Sequence, residues 1–325
     1  MSDYIVERYQ NKHQNLWNDF VLKSNQDTFL FHREFMDYHS DRFHDHSLLI
    51  YKNKKLLALL PANVANDNLF SHQGLTYGSF IYDAKLKTTE YISCFITVLE
   101  YLNKQNIKAL QLKELPFFYL KNQTNNPFQY LLFKTKAKLV RTDMHSVIDM
   151  DYKSYSSSRK EGVKRGLKHS LRVEESESFD LFWNKILIPN LKAKHDVLPV
   201  HSLEEITMLK SRFPNNIRQF NVFYDNTIVG GVTIFETNDV AHCQYISGNV
   251  DKNELGSLDF LHHYLIEDVF KTKSYFDFGT SNINSGENIN EGLQFWKEGF
   301  GARAVTQGFY KIDTKNYKFL DNILI

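Results

Sequence analysis

Three stretches of β-forming residues follow one another with almost nothing between them in "IRQFNVFYDNTIVGGVTIFETNDVAHCQYIS" (217–247). This meander limits the folds open to the chain more than any other feature. The dipeptides Asp225-Asn226 and Asn238-Asp239 fall where tight hairpin turns are needed. After it, "SLDFLHHYLIEDVFKT" places Leu258, Leu261, Leu265 and Val269 at helical spacing, "SYFDF" reads as a short strand, "NEGLQFWKEGF" as a helix and "ARAVTQGFYKI" as a closing strand. Ahead of it lie two amphipathic helices, "FDLFWNKILIPNLKAKH" and "SLEEITMLKSRFP", the second opened by a capping box of Ser202 and Glu205. The order is helix, helix, three-strand meander, helix, strand, helix, strand. That is an α/β arrangement with a mixed, mostly antiparallel sheet flanked by helices.

The first half runs through nearly the same order. Helical material at 15–39 precedes a hairpin around Asn53-Lys54. A bulged strand or tight loop in "HQGLTYGSFIYD" follows. A helix then carries Ile92, Phe95, Ile96, Leu99 and Leu102 on one stripe, and "IKALQLKEL" and "RTDMHSVIDM" are strands. A length of 325 residues also favours two domains. Between the halves, "SYSSSRKEGVKRGLKHSLRVEES" reads as a basic helix opened by a capping box of Ser158 and Glu161. The expected division is 1–153, a connector at 154–172, and 173–325.

With 39 basic against 38 acidic residues, no global charge draws the chain to a polyanion, so stable DNA binding is not expected and any nucleic-acid contact must come from a local patch. The start, "MSDYIVERYQNKHQ", lacks an apolar signal core, and no apolar run approaches the ~20 residues that span a bilayer, so a cytoplasmic protein is expected. Cys94 and Cys243 read as reduced core thiols. The spacing of His39, His44 and His46 matches no zinc motif and reads as a wet surface turn, so no metal is expected.

The element order, twice over, resembles that of tandem GNAT acyltransferase domains of the FemAB-like branch. Three stretches carry the resemblance over 154–312: "SSSRKEGVKRGLKHSLRVEES" is similar to that branch's basic connector, "LGSLDFLHHYLIEDVFKTKSYFDFGTSN" to its helix and strand ending Asp-Phe-Gly, and "FWKEGFGA" to its Phe-Lys-x-x-Phe-Gly ending with Trp296 inserted. The resemblance implies two tandem GNAT-like domains and transfer of an acyl group from an activated carrier to a small-molecule amine acceptor. In ordinary GNAT enzymes the carrier is acyl-CoA; in peptidoglycan-bridge members it is aminoacyl-tRNA. The pyrophosphate loop of the acyl-CoA enzymes is kept here only as Gly256 in "NELGSL", with Asn253 and Leu258 in place of the usual residues. Phe295 stands where a general-acid tyrosine is often found, as it generally does in FemAB-like proteins. The acyl-CoA donor is the leading expectation, with aminoacyl-tRNA transfer to a cell-wall precursor, or a non-catalytic ligand-binding role, as alternatives.

Candidate residues follow from this frame. Asp277, between Phe276 and Phe278, points opposite to them, either to accept an amine proton or to cap the next turn. On the third meander strand, which in GNAT folds supplies an oxyanion-type backbone amide, His242 and Gln244 are expected on one face and Tyr245 on the other. His195 and His201 flank a loop where an acceptor enters. Gly279, Thr280, Ser281 and Asn282 offer a polar loop for a ligand, and Phe295 and Trp296 read as core aromatics, Trp296 also as a pocket wall. For the phosphates of a carrier the candidates are Arg159, Lys160, Lys164 and Arg165 on the basic helix, Gly256 and Ser257 at a helix start, and Lys297.

Overall fold

Asn53 and Lys54 both take left-handed backbone, φ 47° and 67°, the conformation that a two-residue hairpin turn demands. They join strands of the expected hairpin in a computed structural model that describes residues 3–124 and 126–325, apart from the side chain of His195. In chain order the elements used below are β1 (Tyr4–Arg8), β2 (Leu48–Lys52), β3 (Lys55–Leu60), β4 (Asn68–Phe70), β5 (Ile81–Tyr82), α1 (Thr88–Lys104), β6 (Ala109–Lys113), β7 (Lys138–Asp149) and α2 (Ser157–Lys168). They continue with β8 (Arg172–Ser176), α3 (Ile188–His195), α4 (Leu203–Arg212), β9 (Ile217–Tyr224), β10 (Thr227–Glu236), β11 (Val240–Gly248), α5 (Ser257–Tyr264), β12 (Tyr275–Thr280), α6 (Glu291–Glu298) and β13 (Arg303–Asp313).

The chain divides into Met1–Asp143 with Thr306–Ile325, and Met144–Val305. This corrects the expected boundaries. The sequence order puts the closing strand in the second half, yet Phe309–Asp313 pair antiparallel with β6, and Thr314 Oγ1 donates to the Ile107 carbonyl at 2.7 Å. The basic helix is no separate connector either, because α2 packs on α5 within the second unit. Its cap is Ser156, whose Oγ accepts from the Arg159 amide, rather than Ser158, and "RVEES" is not helix but the edge strand β8.

In the first unit β1, β2, β3 and β5 form an antiparallel sheet, and β6 pairs antiparallel with β13 and parallel with β4. The stripe on α1 does what its spacing predicts: Ile92, Phe95, Leu99 and Leu102 are buried against Leu48, Ile50, Leu110 and Ile312. Only Ile81–Tyr82 of "HQGLTYGSFIYD" are strand. His39 and His46 are buried rather than wet, with His39 stacked 4.2 Å from the Tyr38 ring and 4.9 Å from His72.

In the second unit the strand order is β8-β9-β10-β11-β12-β7, antiparallel except for β11 beside β12. Its core lies between the sheet and α5, where Ala241, Cys243, Phe276 and Phe278 meet Leu261, Leu265 and Phe300. Capping by Ser202 and Glu205 starts α4 as the sequence indicates. Among the described residues no helix is long and apolar enough to cross a membrane.

Candidate active site

Strands β11 and β12 run side by side only over Val240–His242 and Tyr275–Asp277. Beyond that register β11 continues along β10 and β12 along β7, so the two part and leave a fork. A bulge sits at the fork: Thr233 faces Tyr245 and Ile234 faces Cys243, leaving Gln244 as the extra residue. A bulge takes one backbone amide out of the ladder, which is how a sheet presents an N–H to a ligand. The bulge also corrects the expected alternation. Ala241, Cys243 and Ile246 face the core, so Tyr245 shares a face with His242. Gln244 keeps a buried Oε1 without a hydrogen-bond partner.

Asp277 is fully buried, not open to a cleft. Its carboxylate accepts from the Gly279 amide (2.8 Å) and meets His242 Nδ1 (2.8 Å) and His145 Nδ1 (3.0 Å). Burial alone would raise its pKa, but the interactions with His145 and His242 outweigh that and hold the carboxyl well below its ordinary range. An anion so stabilised is a poor base, which corrects the expectation that Asp277 itself takes the amine proton. It does cap the next turn, and it fixes both imidazoles with Nδ1–H toward it. His242 Nε2 is left as the lone pair for proton transfer. Gly279 sits at φ +70°, where a side chain is strained, and a Cβ would lie 3.3 Å from His242 Cε1, a tight contact.

Lys297 is not a phosphate ligand. It is 2% exposed, and its Nζ donates to the carbonyls of Gly279 (3.0 Å) and Thr280 (2.8 Å), stapling α6 to the end of β12. Burial lowers its pKa to about 8 against the opposing pull of Asp277. Thr280 and Asn282 serve the loop itself: Thr280 Oγ1 donates to Asn282 Oδ1 (2.8 Å), which also accepts from the Met144 amide (2.7 Å). The loop then folds as a small hairpin, Asn282–Ile283 with Asn288–Ile289. Ser281 keeps a buried Oγ without a partner.

The helix start proposed for phosphate is closed. Gly256 (φ +67°) lies so near α2 that a Cβ would stand 2.1 Å from the Gly162 carbonyl, and Ser257 is fully buried. Inside the first turn of α5 sits the Asp259 carboxylate, pairing with Arg159 (2.5 Å) and accepting from Trp296 Nε1 (2.8 Å). Burial raises its pKa despite Arg159. Arg159 is therefore spent inside the protein, and Arg165 Nη2 lies 4.0 Å from the same carboxylate. Lys160, Lys164 and Lys168 remain exposed at helical spacing, Lys164 beside Glu161 at 2.8 Å. Substituting Gly162 by alanine puts a methyl 1.7 Å from Asp259 Oδ2, so Gly162→Ala is expected to lower stability by about 1–3 kcal/mol, measurable by urea unfolding.

Beside this clamp lies a cavity of about 380 Å³ lined by Ile246, Ser247, Leu258, Leu293 and Trp296, with Lys194 and Lys252 among its walls. Trp296 thus walls a pocket, whereas Phe295 is 66% exposed and not core, because it follows α6 onto its outer side. His201 is buried and not at a rim. Its Nδ1 is 2.6 Å from Tyr245 Oη, which also accepts from the His201 amide at 3.1 Å. His195 ends α3 with a side chain outside the described residues. The sequence singled out neither His145 nor Asp259. The first sits in a recognised strand, but nothing local reveals that this strand borders β12.

No family model matches the chain, and no curated protein matches it. Solved structures do. FemX superposes with a TM-score of 0.68 at 10% identity, covering 98% of this chain and 99% of its own. The fold is a tandem GNAT fold. The C-terminal domain of a putative lysylphosphatidylglycerol synthetase from Agrobacterium fabrum (TM-score 0.60, 11% identity, 96% and 94% covered) shares it. So does a tandem GNAT protein from the clavulanic acid biosynthesis pathway (0.53, 11%, 96% and 98%). At such identities the likeness concerns fold, and the chemistry must be argued from this chain's residues.

Proposed function

We propose that the second unit transfers an acyl or aminoacyl group from an activated carrier to an amine, in the fork between β11 and β12. The observation that carries this reading is the Asp277–His242 couple next to the bulge at Gln244. The amine nitrogen attacks the carbonyl carbon while His242 Nε2 takes the amine proton. A backbone amide of the bulge donates to the oxyanion. Collapse breaks the bond to the carrier, and the imidazolium returns the proton to the leaving oxygen or sulfur. His242 thus supplies the proton that Phe295 lacks.

The carrier favoured by the geometry is an aminoacyl ester on tRNA, not the acyl-CoA that the sequence put first. Asp259 and α2 fill the place where a pyrophosphate would rest, while the exposed Lys160, Lys164 and Lys168 suit RNA phosphates. A cytoplasmic setting goes with such a donor. Acyl-CoA is the second reading, supported by the 380 Å³ cavity, where Ile246, Leu258, Leu293 and Trp296 offer apolar contact to a thioester arm and Lys194 and Lys252 offer cations. The acceptor belongs to the amino sugars, amino acids or amino-lipid precursors.

The deciding experiment incubates the protein with labelled aminoacyl-tRNA or labelled acetyl-CoA and a panel of amines, following amide product, filter retention against salt, and melting temperature. Expected are tRNA retention that falls steeply with salt and no melting shift with acetyl-CoA. Binding of acetyl-CoA at 100 times its Kd would instead stabilise by about 2.7 kcal/mol and move the donor to CoA. Neither product nor retention nor shift would overturn the transferase reading.

A further inference from the structure

The first unit holds a second cavity, of about 260 Å³, that the transfer chemistry does not use. It arises from strand alternation. On β6, Leu110 and Leu112 face the core with Ile312, so Gln111 and Lys113 face the other way, as does Phe309 opposite Lys113 on β13. Phe70, Ser71, His72 and Gln73 from the end of β4, with Val140 and Arg141 from β7, complete the walls.

Its charges do not cancel. Arg141 holds Asp143 through two hydrogen bonds (2.8 and 2.7 Å) and lies 4.8 Å from the Phe309 ring centre. Lys113 is bound to the Leu75 carbonyl, and no carboxylate pairs with it among the described residues. Burial, with Arg141 adding to it and Asp143 opposing, takes its pKa down to about 8, as expected of a cation short of counter-charge. His72, 3% exposed, carries a buried Nδ1 with no hydrogen-bond partner. An unsatisfied buried polar atom beside an uncompensated lysine marks a place that a hydrogen-bonding anion completes.

We infer that this cavity is a binding site for a small oxyanion, the phosphate or carboxylate group of a metabolite, held by Lys113, Arg141 and the His72 ring. The aromatic rings of Phe70 and Phe309 offer contact to the rest of the molecule. The volume admits one small molecule and no macromolecular segment. The inference stands apart from the transfer reaction, since every wall residue lies in 1–143 or 306–325.

The test titrates inorganic phosphate, and separately acetate, at constant ionic strength into the full chain and into Lys113→Met, Arg141→Gln and His242→Ala variants, reading melting temperature and, for phosphate, 31P line width. Expected is a saturable response in the parent chain and in His242→Ala, weakened at least about tenfold in Lys113→Met and Arg141→Gln. A response to phosphate alone names a phosphoryl ligand, and one to acetate alone a carboxylate. If neither anion produces a response, or if both cavity variants respond like the parent chain, the site is wrong. Should Arg141→Gln melt early without ligand, Lys113→Met decides alone. Survival of the response in His242→Ala separates this inference from the fate of the transferase reading.

Discussion

Replacing His242 by alanine is expected to lower the rate of amide formation by about 10²- to 10⁴-fold while the protein stays folded. The expectation rests on what is left in the fork without it. Asp277 keeps the Gly279 amide and His145, so the carboxylate remains satisfied, but no group there is poised to take the amine proton. His145 is 3% exposed and occupies the position across from Thr280, so it does not substitute. The loss should fall on kcat with KM little changed, because the imidazole acts on the moving proton and not on ground-state binding. Steady-state kinetics with a circular-dichroism melt checks both parts. A folded variant at full rate would remove His242 from the chemistry.

How much of this was legible before the structure depends on the range of the interaction. Local signals held well: the Asn53-Lys54 turn, the Ser202–Glu205 capping box, the α1 stripe and the meander all depend on residues within a few positions of one another. The order of those elements was enough for the tandem GNAT resemblance. What failed was long-range. A bulge is one residue of register, invisible in a run of β-formers, yet it moves Tyr245 to the face of His242. The clamp of Arg159 on Asp259 joins residues 100 positions apart, so a basic helix that looks available to phosphate has its first arginine spent internally. Partnering of β13 with β6 sends the closing strand to the unit that the sequence order does not suggest. For Asp277, alternation gives the direction of the side chain but not the two histidines that meet its carboxylate.

That task can be isolated by exchanging Asp277 for asparagine, which keeps the shape and removes the charge. In the parent protein the carboxylate accepts from three donors within 3.0 Å. Asparagine has one acceptor oxygen, and its amide hydrogens would oppose an imidazole N–H, leaving buried donors without a partner. By analogy with breaking a buried ion pair, Asp277→Asn is expected to lose about 3–5 kcal/mol of stability. The rate should fall as well, since His242 is then free to turn or to hold its proton on the wrong nitrogen. The pH dependence distinguishes this from simple mispacking. The folded carboxyl lies below its ordinary range, so its contribution is present in full above the unfolded carboxyl's pKa and is lost as pH falls through the folded value. Urea unfolding should therefore show a constant gap between parent and variant at neutral pH, narrowing below about pH 4. A gap that persists unchanged in acid would mean that packing, and not the carboxylate charge, is what Asp277 provides.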